Sequence, residues 1–140
     1  MSSLSEAFLS YAPYIALMAR VWLGVNMMVH GYPKIRNMKK TAEQMRQALG
    51  IPAIATYVAT ILEFFGGIFL IIGLIVPIVA LFFAIFMAAN IVMKKTKMKA
   101  AYIAAPDKPS YEIDVAYLII SLILVVLGGG ALSVDSLIGL

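Results

Sequence analysis

A polytopic, all-α membrane four-helix bundle is the fold this sequence predicts, on three observations. The stretch 54–93, IATYVATILEFFGGIFLIIGLIVPIVALFFAIFMAANIVM, carries a single charged side chain, Glu63. No soluble domain has an interior that buries so long a run, whereas two helices of about twenty residues at about 1.5 Å per residue each cross a hydrocarbon core about 30 Å thick. Two further apolar runs flank it, at about 11–31 and 111–131. Composition agrees: 63% of the 140 residues are hydrophobic, 13% are charged and the mean hydropathy is +0.97, which places the chain in one integral membrane domain.

In chain order, residues 1–10 lack the Lys or Arg that opens a secretory signal peptide, so the N-terminus is expected to be retained. The first crossing, about 11–31, is interrupted only by Arg20 and Asn26. Gly31-Tyr32-Pro33 is expected to break it, because the residue before a proline is pushed away from helical geometry. The next segment, KIRNMKKTAEQMRQALG, is basic, yet Ile35, Met38, Met45 and Leu49 recur at roughly helical spacing, and Thr41 with Gln44 has the form of a capping box. It predicts a short amphipathic helix at the membrane interface, between the first two crossings and ended by Gly50; a solvated connector is the alternative. Within 54–93 the chain should turn at Gly73 to Pro77, since glycine suits a helix C-terminus and proline the first turn of the next helix. That gives crossings at about 53–73 and 76–94. KKTKMKAAYIAAPDKPSYE, with Pro106 and Pro109, is a loop. The fourth crossing, about 111–131, opens with Glu112 and Asp114 and ends in Gly128-Gly129-Gly130, leaving a short tail that carries Asp135.

The basic residues set an orientation. Of eleven Lys and Arg, five lie in the first connector (Lys34, Arg36, Lys39, Lys40, Arg46), five in the third (Lys94, Lys95, Lys97, Lys99, Lys108), and the last is Arg20. Four crossings put both basic connectors on one face of a plasma membrane, and the positive-inside rule makes that face cytoplasmic, with both termini extracytoplasmic.

The same inventory excludes several chemistries. Without cysteine this chain has no disulfide, thiolate nucleophile, iron–sulfur ligation or c-type haem attachment, and one histidine cannot supply bis-histidine haem ligation or a self-contained zinc site. No glycine-rich phosphate loop, HExxH, nucleophile elbow or glycosylation sequon occurs, so no metal, haem or nucleotide is expected on it. The net charge of +4 sits at the ends of apolar runs, which points to membrane lipid as partner and away from nucleic acid.

Charged groups inside apolar runs are the functional candidates. Arg20 lies about ten residues inward on the first crossing and Glu63 about ten residues along the second, so antiparallel helices predict an Arg20–Glu63 pair at mid-depth. It either fixes helix register or orients a polar headgroup and passes protons. Thr56, Thr60, Gly66 and Gly67 share the Glu63 face and suit close helix packing. His30, Asn26, Asn90 and Glu112, with Asp114, are candidates for a polar pocket at the basic end; His30 either exchanges a quinone proton or caps helix carbonyls there.

Arg20-x3-Gly24, His30-Gly31-x2-Lys34, LGIP at 49–52, Glu63-x2-Gly66-Gly67 with Gly73-Leu74, and GGGALSVD at 128–135 together resemble the DoxX family of small four-helix membrane proteins, over nearly the whole chain. The resemblance implies a single DoxX-like domain over 1–140, related to the membrane subunit of archaeal thiosulfate:quinone oxidoreductase. It implies a subunit of a quinone-linked or respiratory oxidoreductase complex, with quinone supplied by lipid or a partner as its cofactor. Other subunits, or further copies of the chain, would be its partners. The competing reading is a cofactor-free accessory or assembly subunit packed against larger membrane proteins. One histidine and no cysteine leave little catalytic equipment on this chain, which favours that second reading for the chemistry.

Overall fold

The computed structural model describes residues 3–140. Among them are seven helices: α1 (Ser3–Leu9), α2 (Ala12–Arg36), α3 (Met38–Leu49), α4 (Ala53–Ile72), α5 (Val76–Thr96), α6 (Glu112–Leu127) and α7 (Val134–Leu137). The chain is an all-helical, polytopic membrane protein. By length and composition α2, α4 and α5 can cross a bilayer, and only about a third of each apolar window is buried within the protein. The remaining apolar side chains, such as Val29, Ile54, Ile78 and Ile85, point outward, as they do when the solvent is hydrocarbon.

Two local expectations hold where glycine sets the backbone. Gly50 closes α3 and Gly73 closes α4, both left-handed at φ 70° and 79°. Pro77 sits in the first turn of α5, where its missing N–H costs nothing.

Three expectations need correction. The break at Gly31-Tyr32-Pro33 does not occur, and α2 runs through Pro33 to Arg36. Gly31 is buried, and a Cβ there would stand 3.3 Å from Phe64, so packing on α4 continues past the one hydrogen bond that proline removes. The Thr41–Gln44 capping box does not form, because α3 starts immediately after Asn37, with no side-chain cap, and Thr41 is interior. The fourth apolar run is helical only over Glu112–Leu127, 16 residues or about 24 Å. Gly128 and Gly130 take φ 70° and 77°, turning the chain back under the bundle into α7.

The helices form a ring. α2 packs along α4 and α5 along α6, while lighter α4–α5 and α2–α6 contacts close the circle. α2 and α5 therefore stand on one diagonal and α4 and α6 on the other. Leu23, Met27, Leu70, Phe83, Met87, Tyr117 and Leu124 fill the middle. The tightest crossing is α2 on α4: a Cβ on Gly24 would lie 2.5 Å from the Gly67 carbonyl oxygen, and one on Gly67 would lie 2.6 Å from that of Gly24. Only glycine permits that approach.

Candidate functional site

The Gly24–Gly67 crossing fixes the register between α2 and α4, and with it the fate of the two charges. Arg20 lies opposite the last turn of α4, and Glu63 lies opposite Lys34. The predicted Arg20–Glu63 pair therefore does not form. Counting depth from a helix that ended near residue 31 placed the two side chains level; because α2 continues to Arg36, Lys34 remains on the helix and reaches Glu63 first. A lysine lays its long apolar stem along the helix and delivers its ammonium well away from its own Cα.

Two polar clusters result, one at each end. At the end away from the basic connectors, Arg20 is completely buried. Its Nη1 donates to the carbonyls of Leu70 (3.1 Å) and Ile71 (3.4 Å), and its Nη2 donates to the Leu132 carbonyl. The first two belong to the last turn of α4, whose carbonyls have no partner within the helix, so a side chain of α2 completes the C-terminus of α4. Asp135, 4% exposed, does the converse for α5: its carboxylate accepts from the N–H groups of Ile75 (2.6 Å) and Val76 (2.8 Å). A negative charge at a helix N-terminus is well placed for the helix dipole, and Ile75, at φ 44°, is held in a conformation that branched residues rarely adopt. The Asp135 N–H also donates to the Gly73 carbonyl at 2.9 Å. A Cβ at Gly73 would strike Arg20 and Ser133, so the turn, the arginine and the tail form one block.

At the basic end the helices part around a cavity of about 560 Å³. Lys34 Nζ lies 3.0 Å from Glu63 Oε2, joining α2 to α4, and Lys94 Nζ lies 2.5 Å from Asp114 Oδ2, joining α5 to α6. Lys94 also reaches the Ser110 carbonyl. Both carboxylates are more than nine-tenths buried. His30 and Asn90 line the same space, as do Thr56 and Thr60, between Met27, Met87, Phe86 and Tyr117. α3 lies over it through Thr41, Met45 and Leu49, and the Lys97 ammonium holds that helix by its last carbonyl, Leu49, at 2.5 Å. The cavity is mainly apolar with a few convergent polar groups and falls in the size range of small-molecule sites, which makes it the candidate site.

Of the residues singled out from sequence, Glu63, His30, Asn90 and Asp114 meet here, with Thr56 and Thr60 beside Glu63. Asn26 stands beside the cavity: its Nδ2 donates to the Trp22 carbonyl, and its Oδ1 accepts from the Tyr117 hydroxyl at 3.1 Å. That tyrosine ring and His30 meet edge-to-face, with centroids 6.3 Å apart. Glu112 is exposed at the start of α6 and outside the cavity lining, and Arg20 belongs to the opposite end. Lys34 and Lys94 enter as site residues that sequence reading took only as orientation signals. Helical spacing carried the clue, since each falls four residues after a lining polar residue, His30 or Asn90, on the same face.

The fit of a quinone to this cavity can be judged on its donor set. A quinone ring needs apolar walls and hydrogen-bond donors for its oxygens. Met27, Met87, Phe86 and Tyr117 supply the walls; Lys34, Lys94, His30 and Asn90 supply the donors.

Comparison with known proteins agrees with the architecture. The DoxX family profile matches residues 15–95, which span α2 through most of α5 and include Arg20, Lys34, Glu63 and Lys94. A protein of Bacillus subtilis (strain 168) named "Putative oxidoreductase CatD" is 31% identical over 119 residues, covering 85% of this chain and 83% of that protein. No solved structure matches. The sequence motifs 20–24, 30–34, 63–67, 73–74 and 128–135, far apart along the chain, converge on the two clusters and the helix crossing between them, and with a profile match over more than half its length the chain belongs to the DoxX family.

Proposed function

We propose that the protein is the quinone-binding membrane subunit of an oxidoreductase complex, with the cavity at the basic end as its quinone headgroup site. The observation that carries this reading is the meeting, in one largely apolar cavity, of two ammonium–carboxylate pairs with His30 and Asn90. Family membership and a relative named as an oxidoreductase support it. A bound quinone would accept or deliver electrons; this chain's part is to bind and orient the ring, exclude water, and keep titratable groups beside its oxygens. With no cysteine and one histidine, the chain has no thiolate or bis-histidine cofactor ligation to offer, so a partner's redox centre would be the other electron carrier. In the plasma membrane, the positive-inside rule puts the cavity end towards the cytoplasm and both termini outside. A cysteine introduced at Ser3 that an impermeant thiol reagent fails to reach from outside would overturn that topology.

The test is purification from native membranes in mild detergent, followed by chromatographic quantification of quinone per protein. Near-stoichiometric quinone, depleted in the Lys34→Met/Lys94→Met variant, is expected; quinone no higher than in an unrelated membrane protein purified alongside would refute the reading. The second reading, a cofactor-free accessory or assembly subunit, draws on Arg20, whose bonds all end on backbone carbonyls and serve architecture. It predicts a complex that stays active when Lys34, Glu63, Lys94 and Asp114 are together made apolar.

A further inference from the structure

The two helix pairs are built alike. α2 buries positions 16, 20, 23, 24, 27 and 31, and α5 buries 76, 80, 83, 84 and 87, the first five of these sixty residues on, with two departures: Val79 is buried in addition, and Ile91, the counterpart of Gly31, is only half-buried. At that offset Met27 matches Met87, His30 matches Asn90 and Lys34 matches Lys94, and all six line the cavity. The returning helices repeat the theme, since α4 buries Glu63, Gly66 and Leu70 while α6 buries Asp114, Tyr117 and Ser121 at the same spacing. Each half thus places one ammonium–carboxylate pair at the cavity. Because α2 and α5 stand on a diagonal of the ring, the two pairs approach from opposite walls.

Helices in contact lie about 8–10 Å apart, so the diagonal spans about 11–14 Å between axes, and Lys34 and Lys94 line the cavity from the two ends of that diagonal. The pairs also hold capacity in reserve. Glu63 uses Oε2 and Asp114 uses Oδ2 on its lysine, while Oε1 and Oδ1 have no hydrogen-bond partner among the described residues, although both side chains are more than nine-tenths buried. Neither oxygen is sealed within the protein, so each stands open to a hydrogen-bond donor carried by a ligand. A ligand that completes both halves carries two oxygens on opposite edges of a ring, each able to accept from an ammonium and to donate to a carboxylate.

Building on the quinone reading above, we propose that the cavity is a two-point site for a para-hydroquinone, and that it binds the reduced quinol in preference to the oxidised quinone. A quinone carbonyl accepts from lysine but has nothing to give the free carboxylate oxygen; a quinol hydroxyl does both. A hydrogen bond to a charged acceptor corresponds to about tenfold or more in affinity. The reduced form therefore binds at least tenfold tighter.

The experiment is anaerobic equilibrium dialysis of the full chain in lipid nanodiscs against menadione and, separately, menadiol. Expected are binding of both and at least a tenfold preference for menadiol. Glu63→Gln and Asp114→Asn should each reduce that preference, and the two together should abolish it. Equal affinities in the wild-type chain, or a preference that survives in the double variant, overturn the two-point quinol site while leaving a quinone site standing. Absence of binding by either form overturns the quinone reading itself. The wild-type ratio decides even if the double variant does not fold.

Discussion

Replacing Asp135 by alanine tests the closed end of the bundle most directly. The carboxylate takes the N–H groups of Ile75 and Val76 at 2.6 and 2.8 Å in a nearly waterless setting. Hydrogen bonds to a charged group are worth about 1.5–3 kcal/mol each, so two of them give about 3–6 kcal/mol. Some of that returns, because Ile75 is released from its left-handed conformation, a strain of about 1–2 kcal/mol. Arg20 meanwhile loses its nearby opposite charge. The balance is a loss of about 3–4 kcal/mol, or a factor of several hundred in the folding equilibrium. Asp135→Asn keeps one acceptor oxygen but turns an NH₂ towards a backbone N–H, and should fall between alanine and wild type. The assay is reversible unfolding in mixed detergent micelles followed by far-ultraviolet circular dichroism. Ser136→Ala, an exposed neighbour, is the control and should change stability by less than about 0.5 kcal/mol. An alanine variant within about 1 kcal/mol of that control would show that α5 does not depend on this carboxylate for its start.

Three other perturbations probe separate parts of the molecule. Gly67→Ala puts a methyl 2.6 Å from the Gly24 carbonyl oxygen and should destabilise by about 1–3 kcal/mol in the same assay; an unchanged transition would show that α2 and α4 can separate freely. Lys34→Met leaves the Glu63 carboxylate buried without its partner, a loss of about 3–5 kcal/mol, and Lys34→Met/Glu63→Gln should restore most of it; a double variant no better than the single would deny the pairing. On α3, hydrogen bonds from Arg46, joined by its charge and by Gln47, hold the exposed Glu43 carboxyl below its ordinary value. A depressed carboxyl contributes stability that is present above its unfolded pKa and lost as pH falls through the folded one. A spin label at exposed Gln44 should thus gain mobility on acidification below the ordinary carboxylate range, and Glu43→Gln should remove the effect; identical wild-type spectra at neutral and acid pH would contradict it.

The fold was legible because lipid as solvent marks the whole composition, and because Gly50, Gly73 and Pro77 act within a few residues of themselves. What escaped was of two kinds. Pro33 shows a local rule losing to packing: one missing N–H is a small matter beside the continued seating of Gly31 on Phe64. Arg20 shows a partner that no pairing of side chains reveals, since backbone carbonyls as distant as Leu132 receive it. Lys34 and Lys94 were in plain view as members of basic connectors. Their reach back into the bundle depends on stem length and on where α2 ends, which spacing alone does not state.

The two ends also separate architecture from ligand in a way a single pair of measurements can read. Every donor that Arg20 spends ends on backbone, so its variants should change the unfolding transition and leave the ratio of quinol to quinone affinity where it was. Glu63 and Asp114 each spend one oxygen on a lysine and keep one in reserve, so conservative amide variants should change that ratio with a smaller effect on folding. If both ends were merely structural, the two sets of variants would fall on one line relating stability to binding. A cavity that selects its ligand puts Glu63→Gln and Asp114→Asn off that line and keeps Arg20 variants on the stability axis.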